Sequence, residues 1–242
     1  MTPTPTDVVL VVDTGVDDAL ALLLALRLPM LRVRGIACVA GNVEIDQVVA
    51  NTMRVLDAAG VDDVPLGRGS SPGPGGRSVH GQDGLADLGL SASPRRPVLR
   101  TVADVLDLAD PYVLLSLAPC TDIAGGLSTK MASVIAVAGF NRDHDPAAFD
   151  AVVGSGSAVV YEQPIWQRAR VGRGDADRLA KSTDPAISLA GHLLLHQVRR
   201  GGGESGSIGD AVAVAALVAG DRANPDGLAC AATFLGAFGS RS

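Results

Sequence analysis

"DVVLVVDTGVDDALALLLALRL", from Asp7 to Leu28, decides how the rest of the chain is read. Its first part, Asp7 to Asp13, is a β-branched run without polar alternation, as expected of a strand buried on both faces of a sheet. Its second part, from Asp17 onward, sets strong helix formers behind acidic residues that favour a helix N-terminus. The order then repeats. "LRVRGIACVAGN" (31–42) predicts a strand ending at Gly41-Asn42, and "EIDQVVANTMRVLDAAG" (44–60) a helix closed by Gly60. Alternation of this kind implies parallel pairing through right-handed crossovers. Further strands are predicted in "YVLLSLAP", "SVIAVAG" and "AVVYEQ", and helices in "TVADVLDLA", "DPAAFDAVV", "ISLAGHLLLHQVRR" and "DAVAVAALVAG". The expected fold is α/β: an open, mostly parallel, Rossmann-like sheet flanked by helices, in a single domain over residues 1–242. The Gly/Pro/Ser-rich stretch from Gly67 to Gly84 reads as a long exposed loop, a kind that often gates a site. "GGGESGSIG" reads as a flexible connector.

A hydrophobic fraction of 47% supports a densely buried core rather than a disordered chain. No apolar run reaches membrane-spanning length, and the start "MTPTPTD" lacks a basic n-region and an apolar h-region, so a cytoplasmic protein is expected. A net charge of -6 argues against a nucleic-acid polymer as partner, because phosphate binding needs a basic face. Small ligands are untouched by that argument. Cys38, Cys120 and Cys230 are widely spaced in apolar surroundings, which predicts reduced core thiols rather than a disulfide framework or zinc site.

Open parallel sheets bind ligands beyond the carboxyl ends of their strands. The residues there are Asp13 to Asp18, Gly41-Asn42, Leu117-Ala118 and Gly139 to Asn141. Asp13-Thr14-Gly15 spells the D-T-G of an aspartic protease, but that chemistry needs an all-β fold and a facing second carboxylate. Asp17 and Asp18 can simply stabilise a helix N-terminus. Three carboxylates so close together repel one another unless a cation or protons compensate them, and hard oxygen ligands suit Ca²⁺ or Mg²⁺. Both readings stand on the residues alone. His192 and His196 lie four apart on a predicted helix but lack the adjacent glutamate of a zinc protease. Ser155, Ser205 and Ser207 lie in no G-x-S-x-G. Trp166, the only tryptophan, either stacks on a base or is structural.

Taken in order, the segments resemble the calcium-dependent, inosine-uridine-preferring nucleoside hydrolases. "VVDTGVDDALAL" is similar to their D-x-D-P-G-x-D-D-A signature, "VAGN" to V-x-G-N, and "VHGQDGL" to an H-G-x-x-G segment. "LAPCTDIA", "GFNRDHDPAA" and "GDAVAVAALVAGD" resemble three later segments. The resemblance implies a hydrolase that cleaves the N-glycosidic bond of a ribonucleoside or nucleoside-like metabolite. Asp13 then matches the general base for a calcium-bound water and a metal ligand. Asp18, Asp210 and the main-chain oxygen of Leu117 match further Ca²⁺ ligands. Asp17, Asn42 and Asn141 match groups that hold ribose hydroxyls, with His80 as a contact from the loop. A dimer or tetramer is implied as well. The chain departs from the family at Val11, Thr14, Gly139 and Gly209, where the family has an acid, a proline, an acid and a histidine. The stretch between "VAG" and "FN" is largely deleted. These losses motivate a second reading, a non-hydrolytic homologue that binds or otherwise transforms a nucleoside-like ligand.

Overall fold

The computed structural model describes residues 4–72, 78–108, 111–220, 222–223 and 225–239. Strand β1 (Thr6–Val12) leads into α1 (Val16–Arg27), β2 (Leu31–Cys38), α2 (Ile45–Ala59) and β3 (Leu66–Arg68). A 3₁₀ turn at Ser78–His80 precedes β4 (Leu99–Thr101) and α3 (Val102–Leu106). There follow β5 (Tyr112–Ser116), α4 (Thr121–Ala124), β6 (Met131–Val137), α5 (Phe140–His144), α6 (Pro146–Gly154), β7 (Ser157–Tyr161) and α7 (Gln163–Arg168). The last elements are β8 (Arg170–Gly172), α8 (Arg173–Ala180), α9 (Pro185–Arg200), β9 (Ser205–Ser207), α10 (Ala211–Ala219) and α11 (Gly227–Gly239). None of the described helices is long and apolar enough to cross a membrane.

Seven strands form one parallel sheet in the order β4-β3-β2-β1-β5-β6-β7. The chain winds outward from β1 to β4, then returns to the other side of β1 and winds outward to β7. Such a reversal opens a crevice at the carboxyl ends of the two strands beside it. Asp13 follows β1 directly and Leu117 follows β5, so the two stand on opposite lips of that crevice.

The β-branched run of β1 is buried on both faces because each face carries its own core. Val8, Leu10 and Val12 pack into a large cluster with α1, α9, α10 and α11, while Val9 and Val11 enter a second with α3 and α6. Helix α1 is buried nearly all round, since α2, α9, α10 and α11 all pack on it, which is why its sequence shows no polar face. Cys38, Cys120 and Cys230 are free and buried, as expected.

Several differences from the sequence reading lie where a segment is short. Residues 66–68 form β3 rather than loop, and His80 is buried, so the expected exposed loop is partly structured; residues 73–77 of it lie outside the described residues. The predicted helix "TVADVLDLA" is only five residues long, and residue 109 is outside the described set. The expected flexible connector contains β9, which pairs antiparallel with β8. Elements β4, β8, α4, α5, α7, α8 and α11 have no counterpart in the sequence reading.

Candidate functional site

Four acidic side chains meet at the crevice. Asp13 ends β1, Asp17 and Asp18 open α1, and Asp210 immediately precedes α10. Asp13, Asp18 and Asp210 are buried, at 2%, 0% and 8% exposure. One ligand oxygen each from Asp17, Asp18 and Asp210 lies within 4.8 Å of the other two. That grouping differs from the expected metal set by including Asp17 and leaving Asp13 beside it. The reason is Asn42: its main-chain N–H donates to Asp13 Oδ2 (2.7 Å) and its Nδ2 to Asp13 Oδ1 (3.1 Å), drawing that carboxylate toward β2.

Local backbone geometry holds the cluster. Asp18 accepts from the main-chain N–H groups of Asp13 (3.2 Å) and Gly15 (3.0 Å), and from Asn42 Nδ2 (3.1 Å). Asp18 therefore closes the turn between β1 and α1 on itself. Gly41 is required for Asn42 to come so near, because a Cβ at 41 would collide with the Asp13 carboxylate. Thr14, where the family has proline, is buried and paired with Thr52 of α2 (Oγ1 to Oγ1, 2.7 Å). Asn51 of α2 donates to the carbonyls of Thr14 (3.1 Å) and Asp83 (2.7 Å), tying the turn to the segment after His80. Sequence reading missed Asn51 and Thr52; adjacent polar residues on the apolar face of α2 were the available signal.

Electrostatics set these acids apart. Burial raises Asp13 from its usual 3.8 to about 7, with Asp17 adding to the rise and the Asn42 hydrogen bond opposing it. Asp18 and Asp210 are raised well above the ordinary carboxylate value by burial and by neighbouring aspartates. Among the described residues no lysine or arginine pairs with any of the four. Asp17 Oδ1 is buried without a hydrogen-bond partner among the described residues. A group of hard oxygen donors with an orphaned carboxylate oxygen and no counter-charge fits a divalent cation.

His80 contributes from the 3₁₀ turn. Its Nδ1 accepts the Val16 main-chain N–H (3.2 Å) and lies 3.5 Å from Asp17 Oδ1. Burial lowers its pKa, against the pull of Asp17. A neutral ring accepting at Nδ1 carries its proton on Nε2, an assignment made from the hydrogen bonds.

The opposite lip is different in kind. Asn141 in α5 is buried, and its Nδ2 donates to the carbonyls of Leu117 (2.8 Å) and Val137 (3.1 Å). It thus ties the carboxyl ends of β5 and β6 together. Asp13, Asp17, Asn42, His80, Leu117, Asn141 and Asp210 all line one cleft of about 110 Å³, with Val137, Ala138, Phe140 and Trp166 completing it. Asp18 lies beneath, through its bonds to Asp13 and Asn42. Phe140 was not singled out from sequence; it follows from the short link between β6 and α5. Val11 is fully buried in β1 opposite Ala37 and Ser116, an apolar position beneath Asp13. At 209, a Cβ would meet the Cβ of Asp17, so the glycine there leaves no room for the family's side chain. His192 is exposed, and His196 sits with its Nε2 2.9 Å from the Val79 carbonyl.

A family model described as inosine-uridine preferring nucleoside hydrolase matches residues 8–234. Uridine nucleosidase 1 of Arabidopsis thaliana is 31% identical over 182 residues, which cover 62% of this chain and 54% of that protein. The pyrimidine-specific ribonucleoside hydrolase RihA of Salmonella schwarzengrund is 28% identical over 212 residues, 75% of this chain and 68% of its own. The match thus spans about half the length of the Arabidopsis protein. Among solved structures, a plant nucleoside hydrolase superposes with a TM-score of 0.76 at 22% identity, covering 88% of this chain and 79% of that one. That last likeness is one of fold.

Proposed function

The chain belongs to the inosine-uridine preferring nucleoside hydrolase family, and on that premise we propose that it hydrolyses the N-glycosidic bond of a ribonucleoside or nucleoside-like metabolite. One observation carries the reading: Asp13, Asp17, Asp18 and Asp210 converge at the switch point of the sheet with no lysine or arginine paired to them among the described residues. Asp18 and Asp210 would hold a Ca²⁺ ion, with Asp13, Asp17 and the Leu117 carbonyl as further oxygen donors in reach. When bound, the ion would lower the pKa of water and orient the ribose hydroxyls.

The chain's own residues do the rest. Burial gives Asp13 a high proton affinity, which suits a general base near neutral pH. Asp13 takes a proton from water as the water oxygen bonds to the anomeric carbon; the C–N bond breaks and its electron pair leaves with the base. The ribosyl group is cationic in the transition state, and the buried carboxylates stabilise that charge at short range. Asp17 and Asn42 hold the 2′ and 3′ hydroxyls. Asn141 keeps the Leu117 carbonyl in place. His80, neutral with its proton on Nε2, is the donor available to the departing base. The same reading takes the protein to work in the cytoplasm on small molecules, as a dimer or tetramer.

The test is calcium calorimetry together with ribose release from a panel of nucleosides, with Asp13→Ala as control. We expect turnover in the wild type and a loss of about 10²–10⁴-fold in the variant. No release from any N-riboside, despite tight calcium binding, sinks the hydrolase claim. The crowding of Gly209 against Asp17 favours a second reading, a homologue that binds without cleaving. Riboside binding with no turnover is its signature in the same experiment.

A further inference from the structure

The order β2-β1-β5-β6-β7 sets Asn42 and Asp13 at one end of the cleft and Trp166, on α7 after β7, at the other. That far end is apolar but for Asn141, whose amide nitrogen is spent on the carbonyls of Leu117 and Val137, and one further group. Val137, Ala138 and Phe140 line it with Trp166. The link between β6 and α5 is residues 138–139, an alanine and a glycine, so it brings no polar side chain. The Trp166 indole Nε1 is shut off from bulk water and has no hydrogen-bond partner among the described residues. Buried indole N–H groups ordinarily find an acceptor, and leaving one unmet is unfavourable. The Trp166 main chain is itself anchored, its carbonyl accepting from Ser207 Oγ at 2.7 Å. Helix α7 has six residues and none of them fully buried.

Resting on the hydrolase reading, we infer that Trp166 Nε1 donates to the 5′-oxygen of the ribosyl group and selects substrates that carry it. The cleft volume of about 110 Å³ is well below the ~300 Å³ of pockets that enclose a whole ligand. Groups lining it therefore meet the sugar before the base. Of the sugar oxygens, O2′ and O3′ turn to Asp17, Asn42 and the acid cluster. O4′ becomes electron-poor as the ribosyl cation forms, so a donor placed there would oppose the reaction. O5′ remains, an alcohol oxygen able to accept. Trp166 touches the substrate but moves no proton. It replaces in kind, from a different element, a polar contact that the short link between β6 and α5 does not supply.

The probe is 1,4-anhydroribitol, which has no base to lose, compared with its 5-deoxy counterpart in calcium-containing buffer. Because Trp166 is the only tryptophan, its emission reports on the site directly. In the wild type we expect an emission shift with anhydroribitol, and by calorimetry about tenfold weaker binding of the 5-deoxy sugar. Trp166→Phe keeps an aromatic ring without the donor and is expected to bind the two sugars alike, within about twofold. A Trp166→Phe protein that keeps the wild-type preference overturns the inference, as does failure of the wild type to bind either sugar. Nucleoside cleavage by the wild type, assayed in parallel, reports on the hydrolase reading alone.

Discussion

The two lips of the cleft are built by different means. On the β1–α1 lip, Asp13 and Asp18 are fixed by main-chain N–H groups, by Asn42 and by a glycine that allows the close approach, with Asp17 beside them and Asp210 facing them from the start of α10. Those restraints come from two loops only, the β1–α1 turn itself and the Gly41-Asn42 pair that follows β2. On the β6–α5 lip, one asparagine spends its amide on two strand carbonyls, and the remaining wall is Val137, Ala138, Phe140 and Trp166. The first lip is costly to assemble, because buried carboxylates repel and lose hydration. Its assembly makes sense only if something positive is held there. The second lip asks little of the fold. On the proposed reading, the contrast separates the lip that does the chemistry from the lip that selects the ligand.

The sharpest way to break this comparison is at Gly41. An alanine there would put its Cβ into the Asp13 carboxylate, so either the carboxylate or the 41–42 backbone must move. Displacement of a reacting group by about 1 Å lowers turnover roughly 10²-fold, and we expect at least that loss, with weaker calcium binding by calorimetry. Gly125→Ala is the control, since a Cβ there meets nothing within 4 Å. Normal turnover by Gly41→Ala would mean that the Asp13–Asn42 contact is incidental.

A smaller effect concerns pH and chelation. Burial raises Asp13, Asp18 and Asp210 above the unfolded carboxylate value, Asp13 to about 7. Between about pH 4 and 7 the folded chain then keeps protons that the unfolded chain has released, so stability without metal falls as pH rises through that window. In chelator, the melting temperature is expected to be lower at pH 8 than at pH 5.5. Calcium at about 100 times its Kd adds about 2.7 kcal/mol, roughly 5–10 °C for a chain of this size. The gain should be larger at pH 8 than at pH 5.5, because at pH 8 Asp13 has already given up its proton and calcium displaces fewer. Equal melting temperatures with calcium and with chelator at pH 8 would remove the cation from the account of the acid lip.

The same contrast explains what could be read from sequence. Asp13, Asp17 and Asp18 were legible because the strand, turn and helix that position them are contiguous, and a β-branched run followed by acids announces all three. Asp210 and Leu117 needed the ordered resemblance, for nothing local marks a glycine-aspartate pair or a main-chain oxygen. The second lip was scarcely legible. Helices α5 and α7 have five and six residues, too short for a periodic pattern and stable only through tertiary packing. Asn141 was expected on a ribose hydroxyl from the resemblance alone; it lines the cleft, and nothing local in the sequence announced that its amide nitrogen would lie on the carbonyls of Leu117 and Val137. Strand β9 hid in a glycine-rich run because its partner β8 is distant in sequence. Val11 read as an ordinary strand residue and is one, set in an apolar core two positions before Asp13.

Gly139 gives the mildest test and bears on the second lip alone. It adopts φ 77°, ψ -124°, a conformation that residues with a Cβ rarely take, and its carbonyl accepts the Asp143 N–H (3.0 Å) at the start of α5. A Cβ there would meet nothing within 4 Å, so strain rather than collision sets the effect. We expect Gly139→Ala to lower stability by about 1–2 kcal/mol, read from urea unfolding, with calcium affinity unchanged. An acid at this position would carry the same strain, which is why the family's residue cannot simply be restored without rebuilding the link from β6. If Gly139→Ala weakened calcium binding as Gly41→Ala is expected to, the two lips would be coupled through α5 and Asn141 to the Leu117 carbonyl, and the division drawn between them would fail.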